Sequence, residues 1–281
     1  MYHVVVCDLD GTLLDPAHRV GEYTRAVLAR LRASGAALVL ASGRHVLDMG
    51  PLAAPLGGAD YLISCNGAAV YDRAARAVQQ RPLPAAVLGL LLGAARHASV
   101  MNPAQNPVQT HVYLDDAWLV EAPQPHLLCR YQASGFGYRV AGVGALGQAL
   151  GDRPVLKVYY YGEHHALVTL EAWLLAQAAG AIATTFSLPQ TLEVMAAGVD
   201  KGSALRQVLA ALGRDPAVAL CFGDGLNDRE MLAMAGRGLL MANADPCLQA
   251  DLPHLEMIGS NREEAVARFL DDLLRAGRIG A

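Results

Sequence analysis

The chain has 281 residues, a formal net charge of −4 and 53% apolar residues, which suits one large domain or two modest domains with a well-filled core. The Lys and Arg residues are scattered and form no basic block, so we expect no nucleic-acid partner. The apolar stretches, such as residues 85–95, are shorter than the roughly 20 residues that span a bilayer, so we expect no membrane segment.

The first third of the chain alternates apolar strands with a helix. Residues 4–7 form a continuous run of small apolar side chains, and residues 20–34 have apolar positions at helical spacing before Gly35. Further strands are predicted at residues 36–41 and 61–65. This alternation is typical of buried parallel strands that are joined by helices.

The middle third differs in character. It begins near Pro82 and Pro84, and it combines helices with half-exposed strands. Helices are predicted at residues 85–99 and 166–178, single strands at 110–119 and 155–161, and two paired strands at 181–188 and 191–195. The pattern favours an α+β module with an antiparallel sheet.

The last third returns to the first pattern. Helices are predicted at residues 201–212, 228–235 and 263–275, and strands at 217–222, 238–241 and 255–258. We therefore predict one α/β domain with a parallel sheet, formed by residues 1–81 and 191–281, into which a second domain of residues 82–190 is inserted.

The five cysteines are odd in number and include no CxxC pair, which favours a reducing compartment. The first residues lack the basic start, long apolar segment and cleavage site of a signal peptide, so we expect a cytoplasmic protein. Cys7, Cys65 and Cys221 lie in apolar runs and are expected to be small core residues. Nothing in the sequence indicates an oligomeric state.

Polar side chains follow several of the predicted strands. In an open parallel sheet the carboxyl ends of the strands form the ligand-binding edge, so these side chains should converge. Four acids close together require a cation, and oxygen ligands favour a hard ion such as Mg²⁺. The residues concerned are Asp8, Asp10, Ser42, Asn66, Asp224, Asn227 and Asp228, with Lys201 at a helix start.

Each of these features has an ordinary structural explanation when it is taken alone. Asp8 and Asp10 could lie in a solvated turn, Ser42 could cap a helix, and a lysine that begins a helix usually faces solvent. The ordinary explanations fail jointly, because they would require unrelated coincidences at the carboxyl ends of separate apolar strands.

The motifs resemble those of a known family. Residues 8–14 (DLDGTLL), 42–44 (SGR), 201–202 (KG) and 223–228 (GDGLND) resemble the four motifs of the haloacid dehalogenase (HAD) superfamily of phosphatases. The long gap before the third motif, together with residues 66–68 (NGA), resembles its Cof-type branch, subfamily IIB. Ser42 stands where that branch often has Thr, and Ala242 where it has Gly.

The resemblance implies a Rossmann-like core with an inserted α+β cap, and a reaction through an aspartyl-phosphate. Asp8 would be the nucleophile and Asp10 the general acid and base. Mg²⁺ would bind Asp8, the Asp10 carbonyl and Asp224, with Asp228 orienting a bound water. The implied donors to the phosphate are the Leu9 and Gly43 N–H groups, Ser42, Lys201 and Asn227.

Residues 1–5, 42–45, 192–195 and 231–236 extend the resemblance to bacterial members that act on pyridoxal 5'-phosphate and sugar phosphates. It implies a small phosphorylated metabolite as the substrate. The candidate substrate-lining residues are Arg44, His45, Asn66 and Glu193, and the further lid or rim candidates are His111, Tyr113 and Trp118. A phosphomutase or phosphotransferase and a phosphate-accepting signalling domain remain as alternatives.

Overall fold

The computed structural model describes residues 1–101, 108–132, 134–178 and 180–281. They divide into two compact units. Met1–Gln79 together with Asp200–Ala281 form the core unit, and Gln80–Val199 form the inserted unit. The inserted unit thus includes residues 191–199, whereas the sequence-based domain ranges (1–81, 82–190 and 191–281) remain predictions.

The first segment of the core unit alternates strands and helices. It contains strands Val4–Cys7 (β1), Ala37–Ala41 (β2), Tyr61–Ser64 (β3), Ala69–Asp72 (β4) and Ala77–Gln80 (β5), and helices Glu22–Ala33 (α1) and Val46–Ala53 (α2). Every side chain of β1 is buried, which explains its uniformly apolar sequence. α1 ends before Gly35, whose φ of 82° suits a residue without a Cβ.

The inserted unit contains helices Ala85–Met101 (α3), Leu146–Leu150 (α4) and His164–Gln177 (α5). Its strands are Gln109–Tyr113 (β6), Trp118–Val120 (β7), Tyr138–Val140 (β8), Lys157–Tyr161 (β9), Ile182–Leu188 (β10) and Thr191–Ala196 (β11). They form one sheet in the order β10-β11-β9-β6-β7-β8, in which only the β7–β8 pair is parallel among the described strands. Val112, Val158 and Val194 lie on the sheet face that packs against α3 and α5.

The prediction of one strand over residues 110–119 was wrong. The chain reverses after Tyr113, where the Leu114 N–H donates to the Ala117 carbonyl, and Tyr113 then pairs with Trp118. Asp115 and Asp116 occupy the turn, and aspartate is a turn-forming residue. The prediction that residues 181–188 and 191–195 pair is confirmed by the antiparallel β10–β11 ladder.

The connections into and out of the inserted unit are joined to each other. The Arg81 guanidinium donates to the carbonyl oxygens of Gly198 at 2.9 Å and of Ala197 at 3.2 Å. The first and last residues of the inserted unit are therefore held next to each other.

The second segment of the core unit adds helices Lys201–Ala211 (α6), Arg229–Met234 (α7), Pro246–Asp251 (α8) and Ala265–Arg275 (α9) and strands Ala219–Gly223 (β12), Arg237–Leu240 (β13) and Glu256–Met257 (β14). The eight-stranded sheet has the order β14-β13-β12-β1-β2-β3-β4-β5. The pairs from β14 to β3 are parallel, whereas β3 and β4 are antiparallel.

The fold class predicted from the sequence, a parallel α/β sheet interrupted by an α+β insertion, is confirmed. Cys7, Cys65 and Cys221 are buried, as predicted, and the other two cysteines are exposed. Among the described residues, no helix combines the length and the apolar character that a bilayer crossing demands.

Candidate active site

The site begins at the carboxyl end of β1, the strand between β12 and β2. Asp8 follows β1 directly, and its N–H donates to the Phe222 carbonyl of β12 at 3.1 Å. The chain then turns at Gly11, whose φ is 81°, and the Leu14 N–H donates a hydrogen bond to the Leu9 carbonyl at 2.8 Å. Asp8 and Leu9 are buried by this turn.

Lys201, the first residue of α6, is fully buried and bridges two acids. Its Nζ donates to Asp8 Oδ1 at 2.5 Å and to Asp228 Oδ1 at 2.7 Å. The start of α6 is fixed by Asp200, whose side chain accepts from the Ser203 N–H. Burial alone would lower the pKa of Lys201, but the carboxylates of Asp228 and Asp8 outweigh that effect and raise it. Lys201 is therefore a permanent cation within the site.

Asp224 and Asp228 lie in the turn that follows β12. The Asp228 Oδ2 atom accepts from the N–H groups of Asp224 and Gly225, at 3.0 Å each, which shapes the turn. Asp224 Oδ1 accepts from the Thr12 hydroxyl at 2.7 Å, so the two turns are linked. A Cβ at Gly11 would lie 2.1 Å from Asp224 Oδ2, which means that only glycine leaves room for this carboxylate.

Asp8, Asp224 and Asp228 form a three-carboxylate cluster, in which one oxygen from each lies within 4.8 Å of the others. Burial raises the pKa of Asp8, against the opposing effect of Lys201, and neighbouring Asp228 and Asp224 raise it further. Burial and Asp228 raise the pKa of Asp224 to about 7.

Three carboxylates against one ammonium group leave two negative charges when all are ionised. An all-oxygen donor set with that charge fits a hard divalent cation such as Mg²⁺.

The Asp10 carboxylate has different partners from those of the cluster. Arg44 donates through Nε to Asp10 Oδ2 and through Nη2 to Asp10 Oδ1, both at 2.6 Å. His18 Nδ1 lies 2.9 Å from the same Oδ1 atom. Arg44 also donates through Nη1 to Asp48 Oδ2 at 2.6 Å, and Arg44 and Asp48 are both buried.

The ends of β2 and β3 supply further polar groups. The buried Ser42 hydroxyl accepts from the Arg44 N–H at 3.1 Å, and Gly43 lies between these two residues. The Asn66 N–H donates to the Ser42 carbonyl at 3.0 Å, and its side-chain Oδ1 accepts from Asn227 Nδ2 at 3.1 Å. These contacts connect the turns after β2, β3 and β12.

A family model described as haloacid dehalogenase-like hydrolase matches residues 5–270. The chain belongs to this family. An "HMP-PP phosphatase" from Serratia proteamaculans is 38% identical to the hydrolase over 277 residues, which cover 98% of this chain and 97% of that protein. The hydrolase is therefore a phosphatase enzyme, as the motifs predicted.

Solved structures share the fold of the hydrolase. A haloacid dehalogenase-like hydrolase from Bacteroides thetaiotaomicron matches with a TM-score of 0.82 and 26% identity, over 97% of this chain and 100% of that one. A HAD subclass IIB sugar phosphatase matches with a TM-score of 0.79 and 18% identity, over 98% and 99% of the two chains. These likenesses show that the hydrolase shares its fold with both proteins, as the sequence motifs predicted.

The residues predicted for the site of the hydrolase fall into two groups. The core unit brings together Asp8, Leu9, Asp10, Ser42, Gly43, Arg44, Asn66, Lys201, Asp224, Asn227 and Asp228. His45 also belongs to the core unit, where it is buried and its Nδ1 accepts from the Leu47 N–H at the start of α2. A role for His45 at the substrate stays a prediction.

Glu193 and the lid candidates belong to the inserted unit. Glu193 is buried and forms an ion pair with Lys157. His111 stacks on Tyr159 with a centroid distance of 4.3 Å, and its Nδ1 accepts from Trp118 Nε1 at 3.1 Å. Tyr113 and Trp118 are buried beside them, as expected for packing residues of the sheet. The substrate role of Glu193 stays a prediction.

Sequence reasoning missed several side chains that hold the site of the hydrolase together. Thr12 binds Asp224, His18 binds Asp10, and Asp48 binds Arg44. Asn243 Nδ2 donates to the Gly11 carbonyl at 2.8 Å. Thr12 lies inside the first motif and Asn243 follows Ala242 in a segment that resembles the family, so their positions were the available signals, whereas His18 and Asp48 show no local pattern.

Proposed function

We propose that this phosphatase is a Mg²⁺-dependent phosphomonoester hydrolase that forms an aspartyl-phosphate on Asp8. The observation that supports this most directly is the buried cluster of Asp8, Asp224 and Asp228, with the Lys201 ammonium group bound to Asp8 and Asp228. A nucleophilic carboxylate beside a permanent cation suits attack on a phosphorus that carries negative oxygens.

In the first step an Asp8 carboxylate oxygen bonds to phosphorus while the bond from phosphorus to the leaving oxygen breaks. Asp10, two residues further along the turn, gives its proton to that oxygen. In the second step water attacks the phosphorus, Asp10 accepts the proton of the water, and the bond between phosphorus and Asp8 breaks. Splitting the displacement in this way replaces one difficult step by two easier ones.

The phosphate would be held by donors from three turns and one helix. These donors are the N–H groups of Leu9 and Gly43, the Ser42 hydroxyl, the Lys201 ammonium and the Asn227 amide. Because charge spreads over the equatorial oxygens during transfer, fixed donors provide most of the catalysis, and one such donor contributes roughly 10²–10³ in rate. Mg²⁺ bound to Asp8, the Asp10 carbonyl and Asp224, with Asp228 nearby, would supply further charge stabilisation.

The proposed substrates are small phosphorylated metabolites. HMP-PP is the first candidate, because relatives named "HMP-PP phosphatase" match between 96% and 98% of this chain. Pyridoxal 5'-phosphate and sugar phosphates are the candidates that the sequence motifs add. Arg44, His45, Asn66 and Glu193 are proposed substrate-lining residues.

A phosphate-release screen tests the proposal. Purified protein is assayed with HMP-PP, pyridoxal 5'-phosphate and sugar phosphates, with Mg²⁺ and with EDTA, and the substrates are ranked by kcat/KM. We expect Mg²⁺-dependent release from at least one of them, and none from Asp8→Asn. Mainly isomerised sugar phosphate would instead favour a phosphomutase, and a phospho-enzyme that lasts for minutes would favour a signalling domain.

A further inference from the structure

Arg44 makes the most constrained contact with the proposed general acid. Its guanidinium donates two hydrogen bonds of 2.6 Å to the two oxygens of the Asp10 carboxylate. Such a two-point contact fixes the plane of a carboxylate as well as its position, which a single contact does not. The Arg44 side chain is 7% exposed, whereas that of Asp10 is 27% exposed, so the acid keeps an open side.

Arg44 is itself held from two directions. Its third guanidinium contact, from Nη1, goes to Asp48 Oδ2 on α2 at 2.6 Å. Its backbone is fixed by the Ser42 hydroxyl, which accepts from its N–H, and by the Cys65 N–H, which donates to its carbonyl at 3.0 Å. Arg44 thus occupies a rigid position between α2 and the turn that carries Asp10.

The burial of Arg44 distinguishes it from an arginine in an exposed pair. Arg76 also contacts an aspartate, Asp72, but its side chain is 78% exposed and the pair lies within one turn of the chain. Pairs of that kind contribute little to stability and orient little. Arg44 is buried instead, so its contact with Asp10 is less exposed to competition from water.

We propose that Arg44 is the positioning residue for Asp10, and that it aims the Asp10 carboxyl group for both proton transfers of the reaction. This inference rests on the proposed phosphatase mechanism. In the first transfer the proton moves from Asp10 to the leaving oxygen as the bond from phosphorus breaks. In the second, water gives a proton to Asp10 as its oxygen bonds to phosphorus. The Arg44 guanidinium stays protonated and gives up no proton in either transfer.

Leaving-group dependence distinguishes this role from a structural one. A nitrophenolate departs without a proton, whereas a sugar alkoxide requires one, so loss of a well-aimed acid penalises alkyl phosphates selectively. Arg44→Lys keeps the charge and removes the two-point contact. We expect kcat/KM of Arg44→Lys to fall about tenfold or more further for a sugar phosphate than for 4-nitrophenyl phosphate, within the 10²–10⁴ that acid catalysis supplies.

Three further variants complete the experiment. Asp10→Asn should show the same substrate bias and serves as the reference. Arg76→Lys, which alters an exposed pair, should show none. Asp48→Asn removes one anchor of Arg44 and should give a smaller bias in the same direction. If Arg44→Lys does not fold, the ratio of kcat/KM for the two esters in Asp48→Asn tests the inference instead.

An equal fall for both esters in Arg44→Lys, beside a clear bias in Asp10→Asn, would overturn the inference. If Asp10→Asn shows no bias either, Asp10 is not the acid and the inference fails with it. If the wild-type protein hydrolyses neither ester nor any metabolite of the screen, the proposed function itself fails, which the wild-type measurement alone reveals.

Discussion

Asp8, the proposed nucleophile, combines its expected chemical task with an unfavourable position in the core. Its carboxylate is buried, and both burial and neighbouring acids raise its pKa, so that in the metal-free protein the charge is opposed by its surroundings. Groups at catalytic positions commonly carry such a cost, because the environment that serves the reaction does not serve folding.

Asp8→Asn tests this conflict directly. We expect loss of phosphate release, because an amide cannot act as the nucleophile, together with an unchanged or higher unfolding temperature in EDTA, because the buried charge is gone. A phosphate-release assay and a thermal melt measure the two effects. Release at the wild-type rate from a pure preparation of the variant would contradict the assignment of the nucleophile.

Lys201 offers a second test at the scale of one residue. Lys201→Met leaves Asp8 and Asp228 without their shared cation, so we expect turnover to fall by about 10²-fold or more. Lys157→Met is the matched control, since Lys157 is also buried and paired with a carboxylate, that of Glu193.

Removing one partner of a buried ion pair is destabilising by about 3–5 kcal/mol, so both variants should unfold at lower denaturant concentration. Only Lys201→Met should lower kcat, whereas an effect of Lys157→Met through Glu193, a proposed substrate-lining residue, should appear in KM. Phosphate-release rates on folded protein, with urea titrations of both variants, separate the two effects. Similar losses of kcat in the two variants would mean that Lys201 acts through stability alone.

Residues of the site differed in how well the sequence predicted them. Asp8, Ser42, Lys201 and Asp224 follow strands or begin a helix, positions that apolar patterning locates. Thr12 and Asp224 lie 212 positions apart in the chain, and their hydrogen bond arises only when the two turns meet in the fold. No periodicity or local composition encodes a contact of that kind.

At the scale of elements, the sheet of the inserted unit contains a buried histidine, His111, whose pKa is lowered. Burial, with smaller effects of His126 and Lys157, lowers the pKa of His111 from 6.5 to about 3. Trp118 donates to its Nδ1, which assigns the ring proton of the neutral form to Nε2.

This shift predicts acid sensitivity of the inserted unit. The unfolded chain takes up a proton at His111 near pH 6.5, whereas the folded chain does not. The contribution of neutral His111 to the free energy of unfolding is therefore fully present above pH 6.5 and is lost as the pH falls from 6.5 towards 3. His111→Gln removes the titration and leaves an acceptor for Trp118. We expect its unfolding temperature to decline less steeply than that of the wild type between those limits.

Tryptophan fluorescence suits this measurement, because Trp118 and Trp173, the two tryptophans of the chain, both belong to the inserted unit. His164→Gln, which changes an exposed histidine of the same unit, is the control. Parallel pH profiles for the wild type and His111→Gln would show that His111 is not the group responsible.

Helices and strands were predicted well where a single sequence pattern, such as a continuous apolar run, covers the whole element. β1 agrees residue for residue with the prediction for 4–7, because a buried strand in mid-sheet is a plain apolar run. The β6–β7 hairpin was predicted as one strand because apolar residues occur in both of its strands, although Asp115 and Asp116 interrupt the pattern where the chain reverses. At that position the preference of aspartate for turns decided the structure, and the apolar pattern did not.

On the scale of the whole molecule, divalent ions should stabilise the core unit. A ligand that binds only the folded state at 100 times its Kd adds about 2.7 kcal/mol of stability. We expect the unfolding temperature to rise with Mg²⁺ in the wild type, with EDTA reversing the rise, and to stay constant in Asp224→Asn. Differential scanning calorimetry measures the shift.

Asp251→Asn is the control for this series, since Asp251 is an exposed acid of the same unit that pairs with Arg229. It should respond to Mg²⁺ as the wild type does. A full Mg²⁺ response in Asp224→Asn would remove that residue from the proposed ligand set.

The interruption of the core sheet was predictable because composition and patterning change twice along the chain. The structure adds how the insertion is closed, through the contacts of Arg81 with Ala197 and Gly198. Joining the ends of a long flexible segment costs an entropy that grows with the logarithm of its length. When the inserted unit is folded and its two ends are held together, the core sheet forms with a smaller loss of chain entropy.

It follows that the interior of Gln80–Val199 is free to lengthen, shorten or change its loops while the register of β1 against β12 stays the same. The hydrogen bonds of the Arg81 guanidinium thus fix the separation of the two ends between which such changes can occur.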